Sequence, residues 1–115
     1  MSFKKERLES QIKKEIGEML IKDMGNPALT HTTVTGVEIS PDLKHASIYL
    51  STYGTPREKK LSVNIMNNNS PGIRRELARR IRTRYIPDFT FFEDYSIEKG
   101  SRVDEILNEI NKGNQ

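Results

Sequence analysis

The 115-residue chain contains no cysteine and no tryptophan, and its aromatic complement is four phenylalanines and four tyrosines. Without cysteine there is no disulfide, no thiolate nucleophile and no thiolate-ligated zinc or iron–sulfur site, and the fold works in a reducing compartment; a cytoplasmic location is expected. No stretch approaches the roughly 20 consecutive apolar residues of a membrane-spanning helix. The charged N-terminus lacks the apolar core of an export signal, so a protein that is not exported is expected, with no membrane partner. Apolar residues are 34% of the chain and charged residues 30%, which predicts one modest core with little apolar material left for a deep ligand cavity. The expectation is a single domain over residues 1–110 with a short disordered tail at 111–115.

Catalytic chemistry is poorly provided for. The two histidines, His31 and His45, stand in no metal-ligand or triad spacing. The glycines are too dispersed for a phosphate-cradling loop, and the adjacent acids Glu93 and Asp94 point to opposite faces of any strand that holds them. The chain therefore reads as a non-enzyme without cofactor or metal.

Charge is what the sequence has in abundance, and its distribution matters more than its total of +3. Residues 1–22 carry a net +2 and residues 23–70 balance, whereas residues 71–85 hold six arginines against Glu76, a net of +5. Residues 93–115 carry a net −3. A basic block of this kind points to a polyanionic partner.

Periodicity orders the chain. Leu8, Ile12, Ile16, Met19 and Leu20 form the stripe of an amphipathic helix over Ser2–Lys22, stopped at Gly25-Asn26-Pro27. Two alternating runs, His31–Ser40 (with Thr33, Thr35, Val37 and Ile39 on one side) and the run carrying Ala46, Ile48 and Leu50, flank a Ser40-Pro41-Asp42 turn. They predict a hairpin. Thr55 caps a second helix opened by Pro56, with Leu61, Ile65 and Met66 as its stripe. That helix ends in the Asn67-Asn68-Asn69 run, and after a tight break at Asn69 to Gly72 Ser70 caps a third opened by Pro71, with Ile73, Leu77, Ala78 and Ile81 as its stripe, running toward Pro87. A strand over residues 89–97 and a last helix carrying Val103, Ile106, Leu107 and Ile110 complete the order α-β-β-α-α-β-α. Phe89 with Phe91 or Phe92 belongs to the core, although an aromatic strand of this type can also be a base-stacking platform.

On the third helix, Arg75, Arg79 and Arg82 fall along one line while Arg74 and Arg80 flank the apolar stripe. Guanidinium groups so spaced can meet successive phosphates as bidentate donors, which points to nucleic acid. The alternative is a solvated face paired internally with Asp104, Glu105 and Glu109, or a basic adaptor domain docking on an acidic protein partner. Lys4, Lys5 and Arg7 extend the candidate surface; Lys13 and Lys14 read as a solvated, salt-laced face.

With the hairpin His31–Ser51, the run from Gly72-Ile73-Arg74-Arg75-Glu76-Leu77-Ala78 to Arg82-Thr83-Arg84-Tyr85-Ile86-Pro87-Asp88-Phe89-Thr90-Phe91, and the motif Asp94–Val103, the chain resembles the ribosome-binding factor A family of bacterial small-subunit assembly factors. The resemblance implies an α+β, K-homology type II-like fold, a three-stranded sheet packed against helices. It places an interhelical kink at Ser70, Pro71 and Gly72, where Gly72 lets the third helix start close against its neighbour. It implies a noncatalytic role: binding of the immature 30S subunit through 16S rRNA, and assistance to late 16S rRNA processing and 30S maturation. RNA contacts would come from Arg74, Arg75, Arg79, Arg80, Arg82 and Arg84, with Lys4, Lys5 and Arg7 as a flank. A monomer, an assembly GTPase as a further partner and an association with cold growth are also implied.

Overall fold

The computed structural model describes residues 3–22, 25–83 and 85–95. Helix α1, Phe3–Lys22, follows its apolar spacing: Leu8, Ile12, Ile16, Met19 and Leu20 are all buried. After it the chain reverses at Gly25, whose φ of +56° suits glycine, and at Asn26, whose side chain accepts the Ala28 N–H at 2.9 Å. Pro27 opens a single 3₁₀ turn, Pro27–Leu29, that buries Leu29.

Strands β1, Thr32–Ile39, and β2, His45–Thr52, pair antiparallel. Strict alternation along β1 fails, because a bulge between Val34 and Gly36 leaves Thr35 as the extra residue. Thr32 and Val34 before it, and Val37 and Ile39 after it, all oppose core-facing residues of β2, while Thr33 is exposed. The face Thr33, Thr35, Val37, Ile39 is thus corrected: one inserted residue reverses the parity. The turn is as expected, with Asp42 Oδ1 accepting from the Ser40 hydroxyl at 2.6 Å and the Lys44 N–H at 3.0 Å.

Helix α2, Pro56–Asn68, opens on a complete capping box: Thr55 Oγ1 accepts the Glu58 N–H at 3.2 Å, and Glu58 Oε1 accepts the Thr55 N–H at 2.7 Å. Its buried line differs from the apolar spacing. Ser62 and Met66 face inward and Leu61 is 48% exposed. Burial of Ser62 is permitted by its partners, since its hydroxyl donates to Lys59 O at 2.8 Å and so accepts from Thr52 Oγ1 at 2.7 Å. Thr52 in turn accepts from Thr32 at 2.9 Å, giving a directional chain of three buried hydroxyls that joins both strands to α2.

Helix α3, Ser70–Arg80, follows with Asn69 between the two helices. Two expectations are corrected here. Within the expected break at Asn69 to Gly72 the pivot is Asn69, which ends α2 and stands at the cap position of α3 at φ −97°, ψ 5°, so Ser70, expected as the cap, lies with Pro71 and Gly72 in the first turn of α3. Asn69 fits because its N–H reaches Ile65 O and Met66 O and its side chain donates to Ile65 O at 2.7 Å. The helix also ends earlier than the stripe suggests: Ile81 is extended at φ −109°, ψ 126°, buried beyond the last turn, and Ala78 is exposed.

Strand β3, Asp88–Glu93, pairs parallel with β2 in the sheet order β1-β2-β3. The α2–α3 unit supplies the crossover that a parallel pair needs. Alternation puts Phe89 and Phe91 in the core and leaves Phe92 on the outer face beside Tyr49, ring centroids 5.9 Å apart. Helices α1, α2 and α3 share one core with the inner face of the sheet. Both sheet edges are partly closed by helix side chains. Glu9 on α1 accepts the Ile39 N–H at 2.8 Å on β1; on β3, Asn67 accepts the Phe91 N–H at 2.8 Å and donates to its carbonyl at 3.1 Å. The order α-β-β-α-α-β and the α+β class agree with the sequence expectation; the proposed last helix and the 111–115 tail lie outside the described residues.

Candidate nucleic-acid interface

The arginines of residues 74–82 separate in space much as their helical spacing predicts, with Arg74 and Arg80 beside the packed face and Arg75, Arg79 and Arg82 away from it. Arg74 turns inward to the segment leading into β3. Its Nε donates to Pro87 O at 3.0 Å, its Nη2 to Ile86 O at 2.7 Å, and its Nη1 lies 3.2 Å from Asp88 Oδ1. A guanidinium whose donors are held by the chain's own backbone positions that segment. Arg80 is also engaged, with Nε on Glu76 Oε2 at 2.9 Å and Nη1 on Glu15 Oε1 at 3.4 Å, tying α3 to α1. Its side chain is only 25% exposed.

Arg75, Arg79 and Arg82 remain at the surface. Arg79 makes an i,i+3 pair with Glu76 at 3.1 Å while staying 79% exposed, the kind of contact a polyanion displaces readily. Arg75 and Arg79 are one helical turn apart on α3. Arg82 is not on their line, because the chain leaves the helix at Ile81; it stands in the linker beyond. The continuous row of three is therefore a pair on the helix plus one cation on the linker. Arg84 lies outside the described residues.

Gly72 does not act by close packing. A Cβ built there meets only the Arg75 Nη2, at 3.8 Å, an ordinary contact. What Gly72 has beside it is the guanidinium of Arg75, folded back over the first turn of α3.

Lys4 and Arg7 are exposed and Lys5 is half-buried on the first turns of α1. Glu9 lies at Ile39 and Ile21 lines a groove with Thr32–Val34, so α1 runs antiparallel to β1 and residues 4–7 extend beyond the hairpin end of the sheet. Asp88 N–H donates to Lys44 O at that same end, and Arg74 holds Asp88 there. His31 and His45 are exposed, on strand ends.

Sequence reasoning had no signal for the Asn67 pairing with β3, although it placed the break between the helices at Asn69 to Gly72. A triple asparagine after an apolar stripe reads as a helix stop, whereas two of its three side chains make tertiary or capping hydrogen bonds.

The comparisons agree with this architecture. A family model described as Ribosome-binding factor A matches residues 4–107. Ribosome-binding factor A of Caldanaerobacter subterraneus is 36% identical over 113 residues, covering 97% of this chain and 93% of that protein. The crystal structure of ribosome-binding factor A from Thermus thermophilus superposes with a TM-score of 0.69 at 26% identity, over 79% of this chain and 97% of that one. A Thermus thermophilus ribosome binding factor A model fitted into the cryo-EM map of a 30S complex gives 0.66 at 25% identity, over 77% and 93%. With its element order, mixed three-stranded sheet and near-continuous helix pair, the chain belongs to the ribosome-binding factor A family.

Proposed function

We propose that this protein is a noncatalytic assembly factor that binds the immature 30S subunit through its 16S rRNA and assists late processing and maturation of that RNA. The observation that carries the reading is the surface cluster Arg75, Arg79 and Arg82, exposed on and just beyond the helix that follows the α2–α3 break. Family membership and the relative fitted into a 30S complex support it. Guanidiniums on phosphates supply affinity, and the shape of a folded RNA supplies most of the specificity. Arg84, Lys4, Lys5 and Arg7 extend the contact. Arg74 and Arg80 serve it by holding the β3 lead-in and the α1–α3 packing. The same reading carries a monomer acting in the cytoplasm, in cold growth, and displaced by an assembly GTPase.

The test is cosedimentation with immature small subunits. Replacement of Arg75, Arg79 and Arg82 by glutamate is expected to abolish it and to flatten the salt dependence of residual binding. Stability should change by less than about 0.5 kcal/mol, because all three side chains are at the surface. Unaltered cosedimentation removes this surface from the reading.

A further inference from the structure

A second aromatic feature lies at the open end of the hairpin, away from α3. Thr32 and Thr52 form a cross-strand pair facing the core, so the next pair outward, His31 and Tyr53, faces the other side. Their backbones remain in register through the Tyr53 N–H, which donates to His31 O at 3.1 Å. The two rings meet edge to face, with centroids 6.4 Å apart and planes at 80°. Tyr53 is nonetheless 86% exposed.

An aromatic ring so exposed, on a backbone held in a sheet ladder, is a rigid apolar surface presented to solvent. Among the described residues, the chain just beyond it turns away. Gly54 turns the chain at φ +149°, a conformation that L side chains rarely adopt, so glycine follows the ring. His31, Thr33, Ser51, Tyr53, Glu58 and Lys59 are among the residues that line the resulting depression. Arg57 and Lys60 are exposed on the same first turns of α2, outside that lining. Glu58 is the opposing charge, and its carboxylate is committed to the Thr55 N–H.

Aromatic rings, hydroxyls and a local excess of cations fit an unpaired nucleobase with its flanking phosphates: the base stacks on the ring, and the cations meet the backbone. We propose that the Tyr53–His31 depression is a stacking site for an unpaired base of RNA, separate from the α3 arginines. The proposal rests on the RNA-binding reading above and adds a contact to it.

The experiment measures binding of wild type, Tyr53→Ala and Tyr53→Phe to immature small subunits across salt, followed by ultraviolet crosslinking and peptide mapping. Tyr53→Ala is expected to weaken binding roughly 10-fold. The salt slope should be unchanged, since no phosphate contact is removed. Tyr53→Phe should bind as wild type, because stacking does not need the hydroxyl, and the Tyr53 peptide should crosslink to RNA. Full-strength binding by Tyr53→Ala overturns the stacking site while leaving the arginine surface intact. Weakened binding with the Tyr53 peptide crosslinked to a ribosomal protein overturns it in favour of a protein contact. Wild type that does not cosediment at all overturns the RNA-binding reading, and this site with it. Matching thermal melts of the three proteins exclude a folding defect.

Discussion

At the scale of single residues, adjacent arginines have opposite duties. Arg74 makes two hydrogen bonds to backbone carbonyls of residues 86 and 87 and pairs with Asp88, whereas Arg75, one position on, faces solvent. Ile86 and Pro87 are buried, so removing the guanidinium leaves their carbonyls short of a donor. Arg74→Met, which keeps the aliphatic stem, is expected to lose about 1–2 kcal/mol in urea unfolding. Arg79→Ala should change stability by no more than about 0.5 kcal/mol. Equal effects of the two would contradict the division of roles. Helical spacing already sets Arg74 beside the apolar stripe and Arg75 on the outward line, since neighbouring positions differ by about 100° in direction. What it does not give is the partner, because only the path of the β3 lead-in brings the Ile86 and Pro87 carbonyls to Arg74.

At the scale of elements, helix α2 reaches the sheet in two ways that its pattern does not announce. The spacing of Leu61, Ile65 and Met66 predicts an apolar stripe, but Ser62 takes the buried position because two threonines of the hairpin offer it a hydroxyl chain. Asn67 imitates a missing strand at Phe91, accepting its N–H and donating to its C=O. Asn67→Ala is expected to cost about 1–2 kcal/mol and to accelerate hydrogen exchange at the Phe91 amide, whose protected edge becomes open. Unchanged exchange there would mean that the edge is protected by something else. The cap of α2, by contrast, was legible, because Thr55-Pro56 with Glu58 is a local signal and local hydrogen bonds build what it specifies; the cap of α3 was not, since Asn69 takes the position expected for Ser70. The bulge at Thr35 was not, because an extra residue is visible only against the partner strand.

At the scale of the whole molecule, two exposed carboxylates link folding to pH. The Ser40 hydroxyl, then the Lys44 N–H, holds the Asp42 carboxyl below its ordinary value; the Thr55 N–H, then the Thr55 side chain, does the same for Glu58. A lowered folded-state pKa contributes stability that is fully present above the unfolded value and is lost as pH falls through the folded one. Wild type should therefore lose stability on acidification through the carboxylate range. The double variant Asp42→Asn, Glu58→Gln should show a shallower acid limb in urea midpoints measured from neutral pH downward. An identical acid limb would place the coupling in other groups.

Across the same scale, the sequence by itself determined the class and order of the elements as far as β3, the inward faces of α1, β2 and β3, and the concentration of arginine in one segment. These follow from spacing and composition, which act over a few residues. Tertiary structure decided where α3 stops, that Asn69 is the pivot within the Asn69–Gly72 break, and which groups Arg74 and Arg80 bind. It also decided that His31 and Tyr53, far apart in the chain, meet at the hairpin's open end. In each case a group's orientation depends on a partner distant in sequence, and periodicity carries no information about that partner.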